Sequence, residues 1–281
     1  MKAFLHKYRR LFDLALLLVA LLVYLYAHFV ERTWLEVTEV EVPCAEWTSD
    51  TPLRLAVLAD LHARPGDGEY VDEIVRRTLA AKPDAVLLLG DYLNGHHTEQ
   101  GMPVDELEEH LRPLGALPLY AVLGNHDYYH DTVSVRKMLS GIGAQIVEGR
   151  AGGLPVRLEK DGGKVDIGGI RCLYNFKTPG TVPQPRDGVP LVLLSHSPVG
   201  ARYAAEGTSF VICGHTHGGQ IRWPWGGPVY MADGKTPAEH AYGWKEIEGH
   251  RTYVTRGLGT SILPIRCFCR PELTIFTISR P

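Results

Sequence analysis

One event recurs five times along this 281-residue chain: a short apolar run of strand length stops on a polar residue. "LRLAVLA" (Leu53–Ala59) stops at Asp60 and "DAVLLLG" (Asp84–Gly90) at Asp91. "LPLYAVLG" (Leu117–Gly124) stops at Asn125 and His126, "VPLVLLS" (Val189–Ser195) at His196, and "SFVICG" (Ser209–Gly214) at His215. Between the runs lie helix-like segments: Tyr70–Ala81 ended by Pro83, Val104–Leu114, Thr132–Leu139 ended by Gly141, and Val199–Glu206 opened by Pro198. Strands alternating with helices imply a largely parallel sheet, whose ligands gather at the carboxyl ends of the strands. The five polar termini should therefore meet on one rim.

The remainder reads differently. "VRLEKDGGKVDIGGIRCLYN" resembles a hairpin turning at Gly162–Gly163, and "HRTYVTRGLGTS" and "PELTIFTIS" suit later strands. These point to a second, more antiparallel sheet packed on the first. With 22% charged and 45% hydrophobic residues the chain is globular in composition. A net charge of −3 gives no support for a nucleic-acid-binding surface. The five cysteines include no CxxC pair. Cys213 ends an apolar run and reads as a buried thiol, while Cys267–Phe268–Cys269 would set both sulfurs on one strand face through packing.

At the N-terminus, Leu14–Val30 holds no Asp, Glu, Lys or Arg over 17 residues, the lower limit of roughly 17–25 for a membrane-spanning helix. Lys2, Lys7, Arg9 and Arg10 precede it; Glu31, Glu36, Glu39 and Glu41 follow. This favours an uncleaved anchor with a cytoplasmic N-terminus and an extracytoplasmic domain. A cleaved signal peptide is the rival, but no small-x-small site follows the apolar core. Residues 1–32 thus read as a membrane anchor, 33–52 as a linker and first strand of exposed-ribbon pattern, and 53–281 as the main domain.

The rim residues form a chemical set: Asp60 and His62 ("LADLHAR"), Asp91 ("LLGDYLNG"), Asn125 and His126 ("LGNHDYY"), His196 ("LLSHSP"), then His215 and His217 ("VICGHTHGGQ"). Five of the thirteen histidines sit at these strand ends, and the rest, His96–His97 among them, read as solvated. Carboxylates, an amide and imidazoles together suit manganese, iron or zinc better than calcium or a thiolate site. In order and type the set resembles the calcineurin-like metallophosphoesterase superfamily, whose pattern is DxH, GD, GNH followed by D or E, an isolated H, and GHxH. The match runs from about Leu53 to Gln220 and includes all five blocks.

That resemblance implies a four-layer α/β/β/α sandwich, two packed mixed sheets flanked by helices, here with an N-terminal transmembrane helix. It implies two divalent metal ions (manganese, iron or zinc) and a bridging hydroxide that attacks phosphorus. Asp60, His62 and His217 would bind one ion, Asn125, His196 and His215 the other, and Asp91 would bridge. His126 would contact the phosphate or protonate the leaving oxygen. Some relatives place an Asp where this chain has Asn94; His126 would then be a weaker acid, or rely on Asp127.

Weaker signals accompany the set. "GLGTS" (Gly257–Ser261) is no dinucleotide loop, and Ser195 lies in no GxSxG elbow. Arg256, Arg266 and Arg270 would clamp a phosphate or diphosphate, or else be solvated strand-end residues. Trp223 and Trp225 would border an acyl or headgroup pocket, or pack in an aromatic core. "GHTHGGQIRWP" and "RGLGTSILPIRCFCRPEL" after an apolar helix look like the membrane-associated bacterial branch, with its broad phosphodiesterases and a UDP-2,3-diacylglucosamine pyrophosphatase of lipid A synthesis. The expected partners are a membrane and a phosphorylated small-molecule or lipid substrate. A UDP-linked lipid belongs on the cytosolic side, against the charge bias. The alternatives are an extracytoplasmic broad-specificity phosphatase or phosphodiesterase, and a non-catalytic metal-binding module.

Overall fold

The computed structural model describes residues 2–281; the side chains of residues 2–7, including Lys2 and Lys7 of the basic flank, and of Ala151 lie outside the described set. Two six-stranded sheets make up the body. The first takes β1 (Glu36–Pro43), β2 (Leu53–Leu58), β3 (Ala85–Leu88), β4 (Leu119–Ala121), β5 (Ala144–Ile146) and β12 (Glu272–Ser279), in the order β1-β12-β2-β3-β4-β5. The second takes β6 (Val156–Lys160), β7 (Gly163–Gly169), β8 (Leu191–Ser195), β9 (Phe210–Cys213), β10 (Gly243–Ile247) and β11 (His250–Val254), in the order β10-β11-β9-β8-β7-β6.

The five apolar runs do not share a sheet. Three enter the first as β2, β3 and β4, and two enter the second as β8 and β9. Each run is buried on both faces, so its sequence reads the same in either sheet. Along β2, Leu53, Leu55 and Val57 point between the sheets, and Ala56 and Leu58 point outward. In β9, Phe210 and Ile212 point inward while Val211 and Cys213 point outward. The two inward sets interdigitate as one core. The second sheet has two antiparallel pairs against one in the first, but its centre, β7-β8-β9-β11, is parallel.

Helices α2 (Gly68–Ala80), α3 (Val104–Leu111) and α5 (Thr132–Gly141) cover the outer face of the first sheet, and the short α4 (Asn125–Tyr129) follows β4. Pro113 lacks the N–H that would continue α3, and a 3-10 turn over Arg112–Ala116 follows. On the second sheet the helix expected at Val199–Glu206 is a 3-10 helix at Pro198–Tyr203, where Ala201 packs on Leu193 and Val211. The expected hairpin joins β6 to β7 through Asp161 and Gly162, both at positive φ (46° and 81°), as a two-residue turn of this hand requires. The edge strand β1 pairs with β12.

Helix α1 (Lys2–Phe29) belongs to neither layer. Tyr8–Thr33 has a mean hydropathy of 2.1 and is long and apolar enough to cross a membrane. Its leucines from Leu11 to Leu25 face outward, and among the described residues only its foot meets the body. Ala27 and Glu31 are buried there, and His28 Nδ1 lies 2.9 Å from the Pro264 carbonyl. The Arg266 N–H donates to the Ala27 carbonyl at 3.1 Å, and the Cys269 N–H to the Glu31 carboxylate. All five cysteines are free and buried. Cys267–Phe268–Cys269 is not a strand: Cys267 makes one isolated bridge to Ile221, and Phe268, at φ 54°, reverses the chain.

Candidate metal centre

The strands of both sheets end at the same edge, and their last hydrogen bonds carry the polar residues across it. The N–H of Asp60 donates to Gly90 O at 3.0 Å, that of His62 to Asp91 O at 2.9 Å, and that of Gly214 to His196 O at 2.9 Å. Immediately beyond, the backbone turns left-handed at Asp60 (φ 53°), His62 (43°), Asp91 (54°), His215 (70°) and His217 (51°). These five are among only eleven described non-glycine residues with positive φ. Such a conformation costs about 1–3 kcal/mol at each residue and gathers where geometry serves function.

Among the described residues three clusters of potential ligand atoms result, each within 4.8 Å: Asp60, His62 and His217; His62, Asp91 and His126; Asp91, His196 and His215. Asp91 Oδ2 lies 3.4 Å from His62 Nε2 and 3.3 Å from His196 Nε2, between the outer clusters. His217 Nε2 faces His62 Nε2 at 3.2 Å. His196 Nε2 lies 3.1 Å from His215 Nδ1 and 3.0 Å from Asn125 Oδ1. Ligands about 2.1 Å from one cation and at right angles around it are about 3.0 Å apart. The spacing and the mixed oxygen and nitrogen donors therefore fit a pair of borderline divalent cations. The far nitrogens of three of these rings, His62 Nδ1, His217 Nδ1 and His215 Nε2, are buried without a hydrogen-bond partner.

The titration pattern reflects the crowding. Burial lowers His62 to about 4 and His215 to about 3, and holds His217 well below its ordinary value, so these rings stay neutral and able to bind a metal. Burial, with Asp91 nearby, raises Asp60 to about 7. Burial alone would raise Asp91, but His196 and His62 outweigh it and keep that carboxyl well below the usual range. Burial likewise opposes the charged form of His196, yet Asp91 and Asp60 beside it raise the ring to about 10.

The backbone around the cluster leaves no space for side chains. A Cβ on Gly124 would sit 2.1 Å from Asp91 Oδ1, and one on Gly214 would sit 2.5 Å from Asp60 Oδ2. The loop read only as not binding dinucleotide has a structural role here. Gly257 and Gly259 pack on Asp60 and the Leu61 carbonyl, where a Cβ would come within 2.8 and 2.0 Å. The N–H groups of Leu258 and Gly259 donate to Ala59 O and Asp60 O at 2.9 and 2.7 Å.

His126 is not supported as the sequence suggested. Its Nδ1 lies 2.6 Å from the Gly95 carbonyl, leaving Nε2 toward the pocket. Asn94 instead bonds Arg64 and the Gln100 carbonyl. Asp127 takes the N–H groups of Gly124, Asp91 and Tyr92 at 2.8 to 2.9 Å, so it holds the loop and not the ring. His96 is exposed, as expected, and from there lies against His126 with ring centroids 5.0 Å apart and lines the pocket; His130, also expected to be solvated, is instead buried with Nε2 2.9 Å from Asn94 O.

The three arginines are engaged by the protein itself, which corrects the expected phosphate clamp. Arg266 is 0% exposed and donates to the carbonyls of Gly259, Cys269, Arg256 and Gly257 at 2.7 to 3.1 Å. Arg256 pairs with Glu272 and Glu36, and Arg270 lies over Trp34 while donating to its carbonyl. None of the three lines the pocket. Trp223 and Trp225 form no core either: they stack on each other, centroids 5.4 Å apart, and are exposed.

A cavity of about 630 Å³ opens over Asp91, Asn125, His126, His215 and His217. Asp233, which sequence reasoning passed over, sits 3.7 Å from His215 Nε2, with Tyr174 Oη and Thr236 Oγ1 donating to its carboxylate. Nothing in "YMADGKT" marks it, because its partner lies eighteen residues earlier on another loop.

Comparison with known proteins agrees with the geometry. The family model for calcineurin-like phosphoesterases matches residues 53–219. The chain is 33% identical over 204 residues to the uncharacterized metallophosphoesterase YkuE of Bacillus subtilis (strain 168), covering 70% of this chain and 68% of that one. To phosphodiesterase YaeI of Escherichia coli (strain K12) it is 28% identical over 264 residues, covering 90% and 92%. A transmembrane protein with metallophosphoesterase domain from Danio rerio is 28% identical over 258 residues, covering 85% of this chain and 56% of that protein.

Proposed function

Because the chain belongs to the calcineurin-like phosphoesterase family, we propose that its rim residues hold two divalent cations and hydrolyse a phosphodiester or diphosphate beside a membrane. Asp60, His62 and His217 would hold one cation, Asn125, His196 and His215 the other, and Asp91 would serve both. The observation that carries this is Asp91 Oδ2, at 3.3 and 3.4 Å from imidazole nitrogens of the two outer clusters. When bound, such a pair supplies Lewis acidity at the phosphoryl group and lowers the pKa of water enough to yield a nucleophile near neutral pH.

The side chains do the rest. The neutral rings of His62, His215 and His217 present lone pairs without first losing a proton. Gly95 O accepts from His126 Nδ1–H and aims Nε2 at the pocket; with both ring nitrogens protonated, Nε2–H would pass its proton to the leaving oxygen and leave the neutral Nδ1–H ring behind. A carbonyl dipole replaces a carboxylate in that role. Tyr129 and Tyr174 give the cavity aromatic walls.

The specific substrate proposed is the diphosphate of UDP-2,3-diacylglucosamine, with residues 1–32 as the anchor and 53–281 as the catalytic domain. The apolar α1 and the transmembrane relative support a membrane setting. The basic residues that precede the apolar segment of α1 favour a second reading, an extracytoplasmic phosphodiesterase, consistent with the name of the Escherichia coli relative.

Hydrolysis of bis-p-nitrophenyl phosphate with added manganese is the test, with Asp91→Ala as control. Equal rates in both proteins would reject catalysis at this site. A reporter fused after Pro281 and direct assay of the lipid nucleotide choose between the two substrates.

A further inference from the structure

The cavity over the candidate metal centre is polar at one end and apolar at the other. Val229, Tyr230, Ile262 and Leu263 form the apolar wall. These residues come from two loops that the fold joins into one piece. Ile221 bridges Cys267, with Arg222 N–H donating to Cys267 O at 2.9 Å and Cys267 N–H to Gln220 O at 3.1 Å. The Gln220 side chain closes the pair, donating to Ser261 O and Leu263 O at 3.1 and 2.9 Å and accepting from Ser261 N–H at 2.8 Å.

This joined piece exposes large apolar groups: Trp225 is 80% exposed, Ile262 77% and Tyr230 73%, with the stacked Trp223 beside them. Soluble surfaces seldom concentrate such groups without a partner. Three of its residues, Gln220, Ile262 and Phe268, are held at φ 54°, 61° and 54°. For a β-branched residue such as Ile262 this is a marked strain, spent on presenting an isoleucine to the outside.

What lies against this surface follows from where it is fastened. The same loop grips the foot of α1 at three points: Pro264 O to His28, Arg266 N–H to Ala27 O, and Cys269 N–H to Glu31. The apolar segment of α1 ends at that foot, so a bilayer crossed by α1 has its surface at the level of these loops. Indole and phenol rings are the side chains best suited to that layer, having an apolar body and a polar edge.

We infer that the Trp223–Trp225 hairpin and the Ile262–Leu263 loop rest on the lipid bilayer, so that the apolar end of the reaction pocket opens into its headgroup layer. This rests on the reading of α1 as a membrane anchor. It gives the site an amphiphilic substrate, a phosphoester whose apolar part stays in the leaflet along Ile262 and Leu263 while the phosphate reaches Asp91 and His126.

The test uses the full chain in phosphatidylethanolamine–phosphatidylglycerol vesicles containing acyl-brominated lipid, read by tryptophan fluorescence. Trp34 stands next to the foot of α1 and is replaced first, as Trp34→Phe. Trp47 is buried in the core and Trp244 packs against it between the sheets, away from lipid. In Trp34→Phe, brominated lipid should still quench part of the emission. Adding Trp223→Phe and Trp225→Phe should abolish the quenchable part. If Trp34→Phe floats with the vesicles yet its emission is unaffected by bromine, the docking surface is refuted while the anchor stands. If the wild-type chain does not float with vesicles at all, the anchor reading fails and the inference falls with it.

Discussion

Replacing Gly124 by alanine tests the centre with a single methyl group. Gly124 has φ −96° and ψ 179°, extended backbone that any residue adopts, so the change probes space and not conformation. The new Cβ would stand 2.1 Å from Asp91 Oδ1 and 2.6 Å from both the Asp91 amide nitrogen and His196 Cε1. An uncrowded contact is about 3.5 Å, so the carboxylate has to give way by roughly 1.4 Å. It cannot do so freely, because His126 N–H holds the same oxygen at 2.8 Å. A misplacement of about 1 Å at a reacting centre costs about 10²-fold, equivalent to about 2.7 kcal/mol of barrier. The overpacking itself should cost about 1–3 kcal/mol of stability. The assay is kcat/KM on bis-p-nitrophenyl phosphate at saturating manganese, with bound metal by elemental analysis and a thermal melt alongside. Gly226→Ala, whose Cβ would meet nothing within 4 Å, is the reference. A folded Gly124→Ala protein that loses no more activity or metal than this reference would refute the placement of Asp91.

Three further outcomes are expected. Because His196 is raised to about 10 by its carboxylate neighbours, it is protonated at pH 7 in the metal-free protein, and a cation must displace that proton; calorimetry in buffers of different ionisation enthalpy should show proton release, with affinity rising as pH climbs toward 10, and a buffer-independent heat would contradict this. Asp233→Asn removes the carboxylate charge facing His215 Nε2 at 3.7 Å and should weaken metal binding by about 10–100-fold; unchanged affinity in a metal titration would reject the role. Arg266→Ala leaves the buried carbonyls of Gly259, Arg256 and Cys269 without their donor, at about 1–3 kcal/mol each. Arg266→Lys should not restore stability, since an ammonium cannot reproduce the planar fork of donors; a wild-type denaturation midpoint in either variant would rule out this account.

The residue types at the rim were legible because their signal is local. A run such as Leu53–Ala59 forms a strand whichever residues surround it, and Asp60 ends it in a position from which a side chain can leave the sheet. The same holds at Asp91, His196 and His215, so the rim could be read from five separate windows of sequence. The support of His126 was not legible, because Gly95 acts through its carbonyl and no side chain advertises it. The arginines misled for the opposite reason. A guanidinium announces charge, but whether it meets a phosphate or, like Arg266, a ring of backbone carbonyls depends on how the loop folds.

The sequence by itself determined the strands, the donor set at their ends and the apolar segment before them, all properties of short stretches whose period and composition act locally. Only the tertiary structure decided that the five runs divide between two sheets, since a strand buried on both faces carries no mark of its neighbours. It also decided what surrounds the centre: Gly257 and Gly259 against Asp60, Asp233 behind His215, and the foot of α1 fastened beside the pocket. Each of these pairs segments distant in the chain, and close approach between distant segments comes from packing, which no single stretch encodes.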